Sequence, residues 1–413
     1  MKILVCHNYY QQRGGEDLVF ADEAALLTDR GHEVIPYTLH NDAIDAMGRL
    51  KVAARTMWNR QSYRELRALI RRERPRLMHC TNTFPLISPA AYHAAKAEGA
   101  AVVQSLHNYR LICPKAVLMR DNRVCEDCLG KLVAWPAIRH GCYRESRAAT
   151  TVLAGMLAAH RLWGTYRHRV DRYIVLTEFA RQKFIEAGFP ANRLAVKPNF
   201  VAPDPGPGDG ACGYALFVGR LSQEKGVETL LSAWTSRPEL PPLKIVGDGP
   251  LADRVRDAAA VSPHIDWLGA RSCKDVQQLM GNAAFLVFPS IWYEGLPKTI
   301  IEAFSRGTPV VASRLGSMSE LVEHNRTGLL FEAGNVAAMV QAVREIAAHP
   351  ARLSAMRRAA RQRFEAQFTA ETNYERLMMI YAAALSAHHG IEANPLPAVP
   401  QCTRQENVME RAS

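Results

Sequence analysis

A stretch rich in proline and glycine, residues 202–210, divides this chain of 413 residues into two parts. It reads Ala-Pro-Asp-Pro-Gly-Pro-Gly-Asp-Gly, and a segment of this composition is unfavourable inside a helix or a strand. We therefore predict a linker here. Each part then has about 200 residues, which is the size of an ordinary domain.

Short apolar runs alternate with amphipathic stretches on both sides of the linker. Strands are predicted at 2–6, 33–37, 76–80, 101–106 and 173–176 before it, and at 214–218, 243–246, 265–268, 285–288 and 309–312 after it. Helices are predicted at 17–30, 62–72, 227–234, 251–260, 297–306 and 336–348, the second opening with a capping box of Ser62 and Glu65. This alternation predicts an α/β fold of two doubly wound parallel-sheet domains. Such domains bind ligands at the carboxyl ends of their strands, so the two would face a common cleft.

Composition narrows the class of protein. Hydrophobic residues make up 48% of the chain and charged residues 22%, which excludes a predominantly disordered chain. The first apolar run is shorter than the roughly 7 to 15 residues of a signal-peptide core, and no run is long enough to span a membrane. The nine cysteines, an odd number, are interpreted as thiols or metal ligands rather than disulfides, so we expect a cytoplasmic protein.

Positive charge is concentrated in the first half of the chain. Residues 1–198 hold 30 Lys and Arg against 18 Asp and Glu, whereas residues 199–413 hold 21 against 22. Ten basic residues between positions 49 and 76 are interleaved with apolar ones and accompanied only by Glu65 and Glu73. The pattern indicates a basic amphipathic helix suited to an anionic membrane surface, although a solvated helix face also explains it. Nucleic acid binding is not expected, because the sequence shows no fold motif or aromatic platform for it.

The densest motif is Phe-Pro-Ser-Ile-Trp-Tyr-Glu-Gly-Leu-Pro-Lys-Thr-Ile-Ile-Glu-Ala at 288–303. A buried strand ends here, a loop follows, and Pro297 suits the first position of a helix. The free N–H groups at the start of that helix are a site for phosphate. Glu302 lies roughly 7.5 Å further along the axis, which matches the span from a diphosphate to a ribose. Glu294, before the helix, would lie nearer a sugar.

A second motif follows the first strand after the linker. Gly219 and Arg220 are followed five residues later by Lys225 and then Gly226. A guanidinium fork and an ammonium suit a diphosphate leaving group, the alternative being two surface cations that cap a loop. No two aspartates have the Asp-x-Asp spacing that clamps a divalent ion on a nucleotide sugar. We therefore expect phosphate departure without a metal ion.

These motifs carry a resemblance to a known family. Gly219-Arg220 with Lys225-Gly226, and Glu294-x7-Glu302, resemble the signature of retaining family 4 glycosyltransferases of the GT-B fold, over roughly residues 1–385. Segments 82–85, 106–114 and 124–130 resemble a bacterial subgroup linked to envelope or exopolysaccharide synthesis.

The resemblance implies a domain organisation. An acceptor-side domain would occupy 1–198, with a cysteine-rich insertion at about 108–145, and a linker 199–212 would lead to a nucleotide-sugar-binding domain at 213–370. A helix at 371–387 would cross back to the first domain, and the polar tail 388–413 is expected to be disordered. One departure is Pro-Asn-Phe at 198–200, where the family often has Pro-Asn-Gly, so the local turn is expected to differ.

The resemblance also assigns roles to four side chains. Arg220 and Lys225 would hold the diphosphate of the sugar donor, and Glu302 would hold its ribose. Glu294 would contact the transferred sugar. Arg220, Lys225 and the helix start would together stabilise the charge that develops on the leaving group.

Backbone groups and one imidazole complete the implied site. The amides of Gly295 and Leu296 would also contact the transferred sugar. Gly14 and Gly15 would form a glycine loop that lets the backbone approach the phosphate, and His107 would contact the sugar near the reaction centre. A satisfied core histidine is the alternative for His107.

The family mechanism implies transfer of a sugar from a nucleotide diphosphate sugar to an acceptor hydroxyl, with retention at the anomeric carbon and no residue named as nucleophile. The expected acceptor is a saccharide, in particular a lipid-linked one in envelope or exopolysaccharide synthesis, which would make the protein peripheral at the inner face of the membrane. Alternatives on the same fold are a glycoside phosphorylase and a nucleotide-sugar epimerase. A catalytically idle scaffold is a third alternative.

No cofactor is expected to be required for catalysis. Four cysteines nevertheless fall close together in the sequence, as a Cys-x-x-Cys pair with two outlying residues: Cys113, Cys125, Cys128 and Cys142. They are read as a structural zinc site, as free structural thiols or as a redox group, and the spacing leaves all three open.

Overall fold

The computed structural model describes residues 1–12 and 14–391. It contains two six-stranded parallel sheets, one on each side of the linker, with helices on the faces of each. The predicted class, α/β with two doubly wound parallel-sheet domains, is confirmed. The predicted tail lies outside the described residues except for 388–391.

The first sheet has the strand order β2-β1-β3-β4-β7-β8, and a small antiparallel hairpin, β5-β6, lies in the insertion. The strands of this half are β1 Lys2–Tyr9, β2 Glu33–His40, β3 Leu77–Asn82, β4 Ala101–Leu106, β5 Met119–Arg120, β6 Arg123–Val124, β7 Arg172–Val175 and β8 Leu194–Val196. The helices are α1 Gly15–Asp29, α2 Arg49–Met57, α3 Arg60–Glu73, α4 Ala90–Ala97, α5 Trp135–His140, α6 Arg147–Leu162, α7 Thr165–His168 and α8 Glu178–Glu186.

The second sheet has the order β11-β10-β9-β12-β13-β14. Its strands are β9 Ala215–Val218, β10 Leu243–Val246, β11 Ile265–Gly269, β12 Phe285–Phe288, β13 Val310–Ser313 and β14 Gly328–Phe331. The helices of this half are α9 Val227–Thr235, α10 Ala252–Val261, α11 Cys273–Asn282, α12 Lys298–Ser305, α13 Ser317–Leu321, α14 Val336–Ala348, α15 Pro350–Gln367 and α16 Ala370–His388. Because all strands of each sheet are parallel, their carboxyl ends meet at one edge.

Two helix starts differ from the predictions. The N-cap of α3 is Asn59, whose side chain accepts hydrogen bonds from the N–H groups of Gln61 and Ser62, so the predicted Ser62 capping box is wrong. Pro297 is the N-cap of α12 rather than its first helical residue. In both cases the chain is extended at the cap, with ψ near 100°.

The predicted basic amphipathic helix at 49–76 is two helices, α2 and α3. Leu66 and Ile70 on the apolar face of α3 are buried in the core of the first domain. On the other face, Arg67 and Arg71 both pair with Glu98 at the end of α4. Packing and ion pairing within the domain therefore account for much of the pattern in α3.

Helix α16 returns from the second half of the chain to the first sheet. Its apolar side chains join those of β1, β3 and β4 in one buried cluster, which includes Leu377 and Ile380. Its Tyr381 hydroxyl lies 2.8 Å from Nδ1 of the buried His79. Asn373 Nδ2 donates to the carbonyl of Pro198, where the first domain ends. The helix thus belongs to the first domain by its contacts.

None of the helices among the described residues combines the length and the apolar character that crossing a membrane requires.

Candidate active site

The loops that follow the carboxyl ends of the two sheets meet directly. Nζ of Lys298, at the start of α12, lies 2.6 Å from Oδ2 of Asp22 on α1. A Cβ on Gly295 would lie only 2.6 Å from the carbonyl oxygen of His107, which follows β4. Glycine is therefore required at 295 if the two domains are to approach this closely. The structure brings His107 and the 294–296 loop together.

The Glu294 carboxylate is the centre of a polar cluster. Its Oε1 lies 2.7 Å from Nζ of Lys225 and also accepts hydrogen bonds from Ser290 Oγ and Trp292 Nε1, each at 2.8 Å. The Glu294 side chain is only 7% exposed, and that of Lys225 is 23% exposed. Three donors on one oxygen hold this carboxylate in a fixed position. Sequence reasoning did not identify Ser290 or Trp292 as its partners.

Arg220 lies at the end of β9 and is exposed. Among the described residues its guanidinium has no hydrogen bond or ion pair, whereas Lys225 is paired with Glu294. The nearby glycines fix the loops: a Cβ on Gly226, at φ +72°, would lie 1.9 Å from the carbonyl oxygen of Pro289. At Gly247 it would lie 1.9 Å from the carbonyl oxygen of Gly219. Close contact of backbone against backbone therefore fixes the loops that carry Arg220 and Lys225.

The backbone around Glu294 presents free donors. The Glu294 carbonyl accepts hydrogen bonds from Ser317 Oγ at 2.9 Å and Tyr109 Oη at 3.5 Å, which orients the loop. The N–H groups of Gly295 and Leu296 bond to no acceptor in the part of the chain that the structure describes. They precede α12, so they add to the partial positive charge at its N-terminus. The arrangement can bind an anion or a sugar hydroxyl.

Glu302 lies in the second turn of α12, close to Lys298 and Asp22. Burial raises its pKa, and the charge of Asp22 acts in the same direction, while Lys298 opposes them.

His107 holds a neutral imidazole. Burial lowers its pKa to about 3, an effect that Glu23 partly opposes and Lys197 reinforces. Its Nε2 is buried without a hydrogen-bond partner among the described residues. A buried unpaired imidazole nitrogen is unusual, and this one lies where the two domains meet. The nitrogen is therefore available to a ligand.

Gly14 and Gly15 lie at the start of α1. Gly14 is the N-cap, and its N–H donates to Oδ2 of Asp17 at 2.9 Å. The other oxygen of Asp17 lies 2.8 Å from Nε2 of the buried His7. A Cβ on Gly14 or Gly15 would meet no protein atom within 4 Å. Packing within the protein therefore does not explain these glycines.

Two further carboxylates have no counterpart in the sequence predictions. Glu320 on α13 accepts hydrogen bonds from the N–H groups of Glu178 and Phe179 at the start of α8, at 3.0 and 2.9 Å, and so joins the domains. Burial raises its pKa. Glu16 on α1 lies beside Tyr10 and Asn108 in a polar pocket. Neither residue is part of a local motif, so only the folded chain identifies them.

The four cysteines of the insertion lie near one another: every pair among them interacts electrostatically. Burial raises the pKa of Cys128 to about 11 and also raises those of Cys125 and Cys142. Within residues 1–12 and 14–391, however, no three His, Cys, Asp or Glu side chains are arranged as a set of metal ligands. The zinc site stays a prediction, which metal analysis of the purified chain tests.

Two family models match the chain. The one described as glycosyl transferases group 1 matches residues 213–349, and the one described as glycosyl transferase 4-like domain matches residues 14–199. Glycogen synthase of Mycobacterium tuberculosis is 32% identical over 191 residues, 45% of this chain and 45% of that protein. The GDP-mannose-dependent alpha-(1-6)-phosphatidylinositol monomannoside mannosyltransferase of the same species is 28% identical over 227 residues, 49% of this chain and 59% of that protein. The chain spans about half the length of these curated relatives.

Solved structures share the fold. Alr3699/HepE of Anabaena, in complex with UDP, superposes with a TM-score of 0.65 at 18% identity and covers 92% of this chain and 100% of that one. Sucrose-phosphate synthase from Thermosynechococcus elongatus superposes with a TM-score of 0.69 at 17% identity, covering 94% and 99%. Both family models, each on its own domain, agree with this two-domain architecture. The chain therefore belongs to the group 1, family 4 glycosyltransferases of the GT-B fold.

Proposed function

We propose that the chain transfers a sugar from a nucleotide diphosphate sugar to an acceptor hydroxyl, with retention at the anomeric carbon and without a metal ion. The observation that carries the proposal is a set of donors without an acceptor among the described residues: the Arg220 guanidinium after β9, and the amides of Gly295 and Leu296 beside Glu294. Anionic groups are the natural partners of such donors. The Anabaena structure holds UDP, so uridine nucleotides come first among those to test.

Arg220 and Lys225 would neutralise the diphosphate as it leaves. The guanidinium offers two parallel N–H donors, and the ammonium of Lys225 has three, of which one is directed to Glu294. Donors fixed before the reaction stabilise developing charge without reorganisation. The absence of the Asp-x-Asp spacing from the sequence supports a reaction in which these cations, rather than a divalent ion, carry that charge.

The bond from the anomeric carbon to the phosphate oxygen would break as the acceptor oxygen bonds to the same face of that carbon. The proton of the acceptor would pass to the leaving phosphate oxygen. His107 would hydrogen-bond the transferred sugar through Nε2. Because burial keeps its pKa at about 3, His107 stays neutral and serves to position the sugar rather than to supply a proton.

A lipid-linked saccharide is the acceptor that we propose, in envelope or exopolysaccharide synthesis. Exposed apolar side chains support a membrane surface as partner: Leu50 is 87% exposed, Leu162 70% and Trp163 59%. Leu162 and Trp163 end α6 beside the insertion, where Arg161 donates to the carbonyl of Lys131. Apolar and aromatic side chains on a domain with excess positive charge suit an anionic bilayer. The proposed location is the inner face of the membrane.

Thermal unfolding with UDP, GDP, ADP and dTDP and their common sugars, first in EDTA and then with added Mg²⁺ or Mn²⁺, tests the sugar-donor site. We expect one nucleotide to raise the Tm in EDTA, by mass action on the folded state. Lys225→Ala should abolish the shift, while the exposed Lys274→Ala serves as the matched control. With the sugar donor known, NMR of the product gives the anomeric configuration.

The outcomes separate the alternatives. No shift with any nucleotide at millimolar concentration would favour a catalytically idle scaffold. A shift only with added metal would contradict the metal-independent reaction. Release of a sugar phosphate in phosphate buffer would favour a phosphorylase, and interconversion of the nucleotide sugar without an acceptor would favour an epimerase.

A further inference from the structure

A polar pocket lies in the first domain, at the carboxyl ends of β3 and β4 beside the start of α1. Its lining includes Glu16, Thr83, His107 and Arg110. His107 forms one wall, and its carbonyl oxygen faces Gly295 of the second domain. The pocket therefore adjoins the loop beside which the transferred sugar would lie.

Most polar groups of the pocket are satisfied by the protein itself. Gln104 donates to the carbonyls of Thr81 and Ser105 and accepts from Tyr92. Asn82 donates to the carbonyl of Asn8 and accepts from the N–H of Phe84. Such groups shape the wall but have little capacity left for a ligand.

Two groups of this pocket keep capacity for an acceptor. Tyr10 and Asn108 both donate to Oε2 of Glu16, at 2.8 and 3.2 Å, and no described residue donates to its Oε1. The Arg110 guanidinium donates to the carbonyl of Pro114 and lies over the rings of Phe84 and Tyr143, at 4.6 and 5.3 Å. Its other N–H groups have no acceptor among the described residues. A carboxylate oxygen and a guanidinium suit the hydroxyls of a pyranose.

We propose that this pocket binds the terminal sugar of the acceptor, and that Oε1 of Glu16 accepts the hydrogen bond of an acceptor hydroxyl. The proposal rests on the glycosyltransferase function proposed above and deepens it. Glu16 positions the acceptor, while the proton still passes to the leaving phosphate.

Binding in this form requires ionised Glu16. Burial raises the pKa of Glu16 to about 7. Three charged or titratable groups also act on this pKa. The charge of Asp17 on α1 raises it, whereas the hydrogen bond from Tyr10 after β1 and the charge of Arg110 after β4 lower it. The ionised fraction then rises from about a tenth at pH 6 to about nine-tenths at pH 8. The affinity for the acceptor should therefore rise with the ionised fraction of Glu16.

Saturation-transfer NMR with the methyl α- and β-pyranosides of glucose, galactose and mannose tests the proposal at pH 6 and pH 8. We expect at least one glycoside to bind the wild-type chain about tenfold more tightly at pH 8. Glu16→Gln should bind weakly and equally at both values, and Glu16→Asp, which keeps the charge, should retain the pH dependence. Asp42→Asn, an exposed carboxylate after β2, is the control that should behave as wild type.

Either of two results would overturn the proposal: no glycoside binds the wild-type chain, or Glu16→Gln binds with the wild-type pH dependence. The nucleotide-induced Tm shift is measured on the same variants and should be the same in Glu16→Gln as in wild type. Its absence from wild type would instead contradict the function on which the proposal rests. Circular dichroism confirms that each variant is folded.

Discussion

The ammonium of Lys225 and the carboxylate of Glu294, separated by 69 positions in the chain, lie 2.7 Å apart in the cleft. One residue follows β9 and the other follows β12, and these strands are neighbours in the sheet. The pair thus joins the two motifs that the sequence identified separately. The ammonium that we propose as a diphosphate ligand is held in place by Glu294.

Lys225→Ala should destabilise the chain as well as prevent transfer. It leaves the Glu294 carboxylate, which is 7% exposed, with two neutral donors and no cation. We expect a loss of about 1–3 kcal/mol in the free energy of unfolding and at least ~100-fold in transfer rate. Denaturant unfolding measures the first. In the double variant with Glu294→Gln, the stability should recover while the activity stays lost; stability losses that simply add would contradict the coupling.

Glu320→Gln should loosen the contact between the domains. Its carboxylate accepts hydrogen bonds from two N–H groups at the start of α8. A neutral amide in its place removes the charge from this helix cap, which costs about 1 kcal/mol of stability. Small-angle scattering should show a larger radius of gyration, and kcat should fall more than nucleotide affinity does. Glu332→Gln, on the same domain, is the control. An unchanged radius and kcat would show that this contact does not hold the domains together.

Glu16→Gln should stabilise the chain at high pH. The pKa of Glu16 is about 7 in the folded chain against an ordinary value of 4.5. Between those pH values the folded state holds a proton that the unfolded state has lost. Folding stability from this group therefore falls as pH rises from about 4.5 to 7, by at most about 3 kcal/mol. Chemical denaturation should show that the free energy of unfolding of the variant, relative to wild type, is higher at pH 8 than at pH 5. An equal difference at both values would contradict the shift.

Trp163→Ser should weaken binding to anionic vesicles. Trp163 is 59% exposed at the end of α6, and an aromatic ring of this kind favours the bilayer interface. Co-sedimentation with vesicles containing phosphatidylglycerol should fall severalfold, and high salt should weaken the wild type as well. Val261→Ser removes an apolar side chain that is 77% exposed in the second domain, and should have no effect. Equal binding of the wild type to neutral vesicles would contradict a basic docking face.

Apolar runs that alternate with amphipathic stretches explain why much of the fold was predictable. The strands at 101–106, 243–246 and 285–288 were predicted with the bounds that the structure gives. The strands β8 and β14, each at one edge of its sheet, were not predicted. Ser62 was predicted as the cap because Glu65, three residues later, completes a capping box. In the folded chain α2 ends at Trp58 and Asn59 caps α3, so the helix starts earlier.

The site was predictable only where its residues are local in sequence. Two short segments, each running from a strand into a loop and a helix, contain Arg220, Lys225, Glu294 and Glu302. Glu16 and Glu320 act through partners on other elements, and no spacing in the chain indicates those contacts. The ion pairs of the basic segment 49–76 were not predictable for the same reason, since Glu98, which pairs with two of its arginines, lies beyond the segment.

The return of α16 to the first sheet bears on how the chain reaches this fold during synthesis. One face of that sheet, with Ile3, Val103 and Ile174, is covered by Leu377 and its neighbours. When the first 200 residues have left the ribosome, Phe20 and Leu27 of α1 cover part of this face, and the part that α16 will cover is still exposed. The first domain can be completed only after the second has been made, so a nascent chain stalled before α16 would be a substrate for chaperones.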